Sequence, residues 1–581
     1  MPGGLLNLVA IGNQNVILTG NPSKTFFKTT YQKYTNFGLQ KFRIDVQGQR
    51  ILNMTTPSYF KFKIPRYGDL LMDTYLVVTL PTIWSPVVPP LFCNSDTGLN
   101  TNTTWKPYEF KWIKNLGSQM ISRVTFSVGG QIIQEFTGDY MQNMVERDFS
   151  NTKKDLYYKM TGNTSDLNEP AECNGRINQY PTALYTDNLL GPDPSIRAKT
   201  IYIPLNVWFT LASTMAFPLV ALQYNELVID VEIRPVKELY VIRNVIGEGD
   251  YYKQPNYTNT YEQFYRFIQP PPTISVEQNA YTDRRTNWNA DIHLLSTYAF
   301  LTDDEVRLFA SQSQTYLIKE VYKYTFQNNL GSSRVSLDTL GMVINWMWYF
   351  QRSDADLRNE WSNYSNWPYN YQPYNVVDPA DGGPIYTLTN GTQVRPFRFA
   401  WSCTNQLPCD TDINNCENSV YPSANPDGSV TDILVTPLYQ PQNTKEIMTT
   451  WGFLLDGKYR ENIFDVGVWD YVEKYTRTSG NAPDGLYCYN FCLNNDPYSF
   501  QPSGAMNLSK FNSVEFEFTT TAPPIDGSAQ VLTVCDGLGN IIGVNKDSWR
   551  IFEYSYDLTV LEERYNVLTF MSGNAGLMFS R

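Results

Sequence analysis

Histidine is almost missing from this 581-residue chain: one, His293, stands against 41 Tyr, 31 Phe and 13 Trp. A single imidazole excludes histidine-based catalytic triads, histidine-ligated metals and most imidazole acid–base work. His293 lies between Ile292 and Leu294 in a strand-like pattern and reads as a strand side chain. Long apolar runs are missing as well. The best candidate, "YLVVTLPTIWSPVVPPLF" from Tyr75, is interrupted by Pro81, Pro86, Pro89 and Pro90, and a membrane-crossing helix needs about 18 or more apolar residues. No GxxxxGK[ST], no GxSxG and no GxGxxG between strand and helix occurs. The glycines at 573 and 576 have no helix behind them to cradle a phosphate and read as a turn. Positive charge is in deficit, 45 Lys and Arg against 57 Asp and Glu, a net −12. A protein that neutralises phosphates along a nucleic acid carries the opposite balance. Lys24, Lys28, Lys33, Lys41 and Arg43 near the start read as solvated faces.

Cysteine spacing is uninformative. Of eight, Cys403, Cys409 and Cys416 follow C-x5-C-x6-C, and Cys488 with Cys492 follows C-x3-C; neither is the paired CxxC of a structural zinc site. The opening "MPGGLLNLVAIGNQNVI" has no positive charge and a short, broken apolar run. It is expected to be retained rather than removed as a signal peptide, with reduced thiols as the consequence. The Asn-x-Ser/Thr sequons at Asn53, Asn102, Asn163, Asn256, Asn363, Asn390 and Asn507 are what so Asn/Thr-rich a chain yields by chance.

What is abundant is aromatic side chains, with 35 Gly and 35 Pro beside them, a composition of strands and turns. "YFKFKIP" (59–65) places rings on one face and lysines on the other. "QYNELVIDVEIRPV" (223–236) alternates Leu227, Ile229, Val231 and Ile233 with Val228, Asp230, Glu232 and Arg234. "SRVTFSVGGQIIQEF" (122–136) predicts a hairpin through Gly129-Gly130. Helix is expected over 138–149 and after Thr302, where Glu305 three residues on suggests a capping box. Residues 244–289, polar and carrying Pro270-Pro271-Pro272, read as a linker or crossing segment. About eight strands on either side of it predict an all-β chain of two jelly rolls with long loops, although no internal repeat is visible.

One enzyme class survives the missing histidines. Glycoside hydrolases use two carboxylates in an aromatic cleft, and 345–374 offers Asp354, Asp356 and Glu360 among rings that include Trp361 and Trp367. No carboxylate pair stands out, and rings of this density equally serve a subunit interface.

"LTGNPSKTFFKTTYQKYTNF" (18–37) resembles the N-terminal signature of double jelly-roll major capsid proteins of nucleocytoplasmic large DNA viruses, the giant virus, iridovirus and phycodnavirus group. "YIPLNVWFTLASTMAFPLVALQYNELVIDVEIRP" (202–235), "QPSGAMNLSKF" (501–511) and "YNVLTFMSGNAGLMFS" (565–580) are similar to three further motifs of that family, in the same order. Lys24, Asn225, Lys510 and Asn574-Ala575 depart from its usual residues.

The resemblance implies two consecutive eight-stranded antiparallel jelly rolls in a structural protein without enzymatic activity or cofactor. Three chains would form a pseudo-hexagonal capsomer that tiles the icosahedral shell of a large double-stranded DNA virus. Its implied partners are further copies of itself, neighbouring capsomers, minor capsid or cement proteins and the internal viral membrane face, with no direct nucleic acid. Its place would be the virion, after assembly in host cytoplasm. The expected division is an N-terminal arm (1–37), a first roll (38–243), the linker (244–289) and a second roll with large loop insertions (290–581). Phe26, Phe27, Tyr31, Tyr34 and Phe37 of the arm, with Trp361 and Trp367, are the candidate inter-subunit or lattice contacts. A virion-borne carbohydrate-binding or glycosidic jelly roll, or a membrane-shaping assembly scaffold, is the alternative.

Overall fold

Alternation in the sequence becomes alternation of burial. In β2 (Ser58–Lys63) Phe60 and Phe62 face inward while Lys61 and Lys63 face water, and β7 (Leu227–Ile233) buries every second residue. These two strands pair antiparallel, Ile229 opposite Phe62. A computed structural model describes residues 2–88, 106–176, 180–183, 192–245, 252–271, 281–285, 287–369, 386–387, 393–397, 432–434, 444–526, 531–535, 538–539, 541–546 and 551–579.

The first roll packs two four-stranded antiparallel sheets face to face. One has the order β1 (Gly38–Asp45), β8 (His293–Phe300), β3 (Leu70–Leu80), β6 (Lys199–Pro204), with the short Phe217–Pro218 bridge beside β3. The other runs β2, β7, β4 (Ile121–Val128), β5 (Gln131–Phe136). The second roll repeats this order. One sheet is β9 (Gln314–Asn329), β16 (Tyr556–Met571), β11 (Met342–Arg352), β14 (Leu486–Asn490). Its partner is β10 (Ser332–Leu337), β15 (Val514–Thr520), β12 (Met448–Leu455), β13 (Lys458–Asp465). Numbered from the start of each roll, both sets read 1-8-3-6 and 2-7-4-5. The repeat that the sequence hides is thus explicit in the topology.

Two expectations are corrected. Residues 290–302 do not open the second roll, because β8 pairs with β1 along its whole length (Gly38 opposite Phe300, Asp45 opposite His293) and with β3 on its other edge. Nor is 244–289 a free linker over its described residues. Phe264 and Phe267 are buried among Phe110 and Tyr240, and Asn287–Asn289 pairs with Ile51–Asn53, seating Trp288 in the first core. The second set of strands starts only at Gln314, after helix α3 (Asp303–Ser311).

The Gly129-Gly130 hairpin joins β4 to β5 as expected, both glycines at positive φ. The helix read over 138–149 is α1 (Gly138–Asp148), followed by α2 (Asn151–Thr161). Thr302 does occupy the N-cap of α3 but its side chain makes no capping bond. Glu305 Oε1 instead accepts from Thr35 Oγ1 of the arm (2.7 Å).

The aromatic surplus fills the cores. In the second roll Trp348 stacks on Trp451 with ring centroids 4.2 Å apart, and Trp469 meets Trp451 edge-on at 4.6 Å. Rings of Asn345–Phe350 that the sequence offered for sugar stacking or an interface are therefore mostly interior: Trp346, Trp348, Tyr349 and Phe350 are buried.

Candidate assembly surfaces

Two surfaces have chemistry beyond strand packing: the face joining the two rolls and the N-terminal arm. At the first, α1 leaves the edge strand β5 and lies against the outward side of β9, β16 and β11. Because side chains alternate along a strand, β16 is buried on both faces and must satisfy charge on each. Glu562 points into the second roll, accepting from Trp346 Nε1 (2.6 Å) and Thr339 Oγ1 (2.7 Å), with Arg564 Nε also on it. Glu563 points the other way, toward α1, and accepts from Tyr140 OH (2.9 Å), Arg147 Nη2 (3.2 Å) and Asn345 Nδ2 (2.7 Å).

Arg147 is the hub of this cluster. It grips Asp148 through two bonds of 2.7 Å and donates to Asn345 Oδ1 at 2.8 Å. Burial pushes the Glu563 carboxyl up, but Arg147 beside it outweighs that and holds it below the ordinary range. For Asp148 burial prevails and raises the carboxyl. Nearer the start of α1, Asp139 accepts from Lys323 Nζ (2.8 Å) and Tyr349 OH (2.5 Å). Burial pushes that carboxyl up, yet the Lys323 ammonium brings it down to about 2. These ionic bonds join the rolls as one body. Sequence reasoning missed them, although the charged triplet Glu562-Glu563-Arg564 in the middle of a strand was the signal.

The arm is the opposite case. Every described residue from 2 to 37 is exposed, and its short helices Gly3–Val9 and Val16–Thr19 bury nothing. Phe27 is 99% exposed, Phe26 88%, Tyr31 and Tyr34 nearly as much, and Phe37 about half. Tyr34 and Phe37 touch only each other among the described ring pairs (6.4 Å). These rings are close in sequence and exposed.

Trp361 and Trp367, expected at the same contacts, are half-buried within the chain. Trp361 Nε1 donates to Glu238 O (3.0 Å) and its ring lies under the Arg234 guanidinium (4.2 Å), so it ties the second roll to the first. The Trp367 carbonyl accepts from Asn363 Nδ2 (2.8 Å). Of the nearby carboxylates Asp356 is exposed, while Asp354 and Glu360 are committed. Burial pushes Asp354 up, but Arg352 (2.6 Å) and Arg358 (3.0 Å) overcome it and hold the carboxyl at about 2. Glu360 accepts from Asn363 Nδ2 and the Tyr369 N–H, both at 2.9 Å. A carboxylate held ionised by two guanidiniums is a poor proton donor to a glycosidic oxygen. His293 Nδ1 lies 2.7 Å from Asp291 O. Cys488 and Cys492 are buried, burial pushing the Cys488 thiol up to about 12. Cys403, Cys409 and Cys416 lie outside the described residues. Among the described residues no three His, Cys, Asp or Glu side chains are placed to hold a metal ion, and no helix is long and apolar enough to cross a membrane.

Comparison with known proteins agrees with this picture of a body built for contacts. Residues 25–268 match the family described as major capsid protein N-terminus, and residues 305–576 match large eukaryotic DNA virus major capsid protein. The gap between the two matches falls where the first roll completes its sheet with β8. The major capsid protein of Phaeocystis pouchetii virus is 27% identical with both chains covered in full, and that of Paramecium bursaria Chlorella virus 1 is 23% identical, again over both full lengths. Among solved structures, the PBCV-1 virus capsid chain superimposes with a TM-score of 0.55 at 17% identity, covering 96% of this chain and 100% of its own. The Faustovirus major capsid protein gives 0.56 at 13%, covering 94% and 93%. These likenesses show the double jelly-roll fold. The chain belongs to the major capsid proteins of large eukaryotic DNA viruses, structural proteins of the virion shell and not enzymes.

Proposed function

We propose that three copies of this chain close into a pseudo-hexagonal capsomer, and that such capsomers tile the icosahedral shell of a large double-stranded DNA virus assembled in the host cytoplasm. The observation that carries this reading is the repeated strand order of two rolls joined by unlike surfaces. The helix side of the first meets the sheet side of the second. A head-to-tail contact of that kind leaves one surface of each sort free at the ends, and such contacts close into rings. Three chains supply six rolls.

The exposed arm then serves contacts between capsomers, or with minor capsid proteins or the inner membrane face, through Phe26, Phe27, Tyr31, Tyr34 and Phe37. Light scattering after size exclusion, with negative-stain images of the peak, tests the reading. The expected mass is three times 66.8 kDa with hexagonal outlines; a stable monomer at all concentrations overturns it. Removing residues 1–37 is expected to leave the trimer intact and to impair shell assembly, and loss of the trimer itself would sink the role given to the arm.

A further inference from the structure

The two rolls share a strand order but not an exposure pattern. In the first, the fifth strand β5 leads through Thr137 into α1, and Tyr140, Met141 and Met144 of that helix are buried. In the second, the fifth strand β13 leads through Val466-Gly467 into the helical segment 468–477, the same place in the topology. There Trp469 and Asp470 turn inward, whereas Tyr475 is 92% exposed, Tyr471 58% and Val472 54%. Ile463 and Phe464 of β13, an edge strand among the described residues, are also exposed. An exposed edge carrying apolar side chains is a liability unless something covers it.

The equivalent place in the first roll is covered within the chain. Its cover is the outward face of strands one, eight and three of the other roll (β9, β16 and β11), where Val321, Met347, Tyr349 and Leu561 are buried. The matching face of the first roll, on β1, β8 and β3, has Ile44, Leu294 and Leu76 turned into its own core. Its outward side presents Leu39, Lys41 and Arg43 of β1, of which Leu39 is 54% exposed, beside half-buried Tyr75 of β3, while Val77, Thr297 and Ala299 of the same side are buried within the chain. Within one chain the first roll already receives the second on its α1 side, so the exposed β1 side of this face is left for another copy.

We propose that the helical segment 468–477 and β13 are the docking surface for a second copy of this chain, receiving the outward β1–β8–β3 face of its first roll, with Tyr471 and Tyr475 as anchors. Buried tyrosines are frequent anchors of interfaces because a large ring is ordered at small entropic cost. The inference rests on the trimer reading and names the surfaces that would close the ring.

The test is the full-length chain carrying Tyr471→Glu with Tyr475→Glu, and separately Leu39→Glu on the opposite face, followed by light scattering through a dilution series. Each is expected to raise the concentration at which trimers dissociate at least tenfold, with the circular dichroism spectrum unchanged. Tyr475→Gln, uncharged and clear of the core, is expected to shift it in the same direction by less. Trimeric wild type with all three variants dissociating at the wild-type concentration overturns this surface and leaves the trimer standing. Monomeric wild type overturns the trimer reading, and the inference with it.

Discussion

Arg147 shows how much one residue can carry in this molecule. Its guanidinium is enclosed by Asp148, Glu563 and Asn345 with all four groups buried. Removing one member of a buried ionic set leaves the others charged and unpaired, a loss of about 3–5 kcal/mol. Arg147→Met is therefore expected to lower the unfolding free energy by that order and with it the urea midpoint, and adding Glu563→Gln and Asp148→Asn to recover part of it. Equal midpoints for wild type and Arg147→Met in urea would refute the account.

Asp139 gives a pH dependence of definite sign. Its carboxyl falls from the ordinary 3.8 to about 2 on folding, so the unfolded chain binds the proton more readily. Its contribution, on the order of 2 kcal/mol, is complete above about pH 4 and is lost as pH drops through 2. Asp148, raised by burial, works in the opposite direction, its contribution being lost as pH rises through its folded value. Between pH 4 and 2 the wild type is expected to lose stability more steeply than Asp139→Asn; parallel curves would contradict this.

Among the elements, α1 depends on its first residue. A Cβ on Gly138 would lie 2.0 Å from Ser118 O and 2.4 Å from Ile121 O, both backbone atoms that cannot step aside. Gly138→Ala is expected to destabilise by about 1–3 kcal/mol or more through overpacking, seen as a lower thermal midpoint; an unchanged midpoint would mean that α1 is free to shift. The helix itself was legible from its sequence, as were β2, β7 and the Gly129-Gly130 hairpin, because each announces itself within a dozen residues. The membership of β8 was not. Its alternation is plain from Ile292 onward, but no local signal says that its partners begin at Gly38, on the far side of a whole roll.

At the scale of the whole molecule, the second roll has a core of its own around Trp346, Trp348 and Trp451, but the first roll's core does not stop at its boundary. The apolar cluster of the first roll continues through Val321, Met347, Leu561 and Phe570 of the second, and the Arg147 set spans the same boundary. A single calorimetric transition is expected, with van't Hoff and calorimetric enthalpies agreeing per cooperative unit; two resolved transitions would show the rolls melting independently. A chain ending at Asn289 lacks the strand that sits between β1 and β3. It is expected to give no cooperative transition, even though it contains everything the sequence assigned to the first roll and linker.

The sequence alone determined the class of this protein: strands from period-two alternation, the poverty of catalytic residue types from one histidine, and the family from four collinear motifs. Those are local or compositional properties, readable wherever the chain goes. The tertiary structure decided which strands are neighbours, which of many tryptophans and tyrosines are interior, and which charges must be paired out of water. Alternation tells a strand which of its faces is apolar but not what that face will meet. Trp361 and Phe27 are both large rings in polar company; one lies under a guanidinium of the first roll and the other stands in solvent, because only folding brings Arg234 to the first and nothing among the described residues to the second.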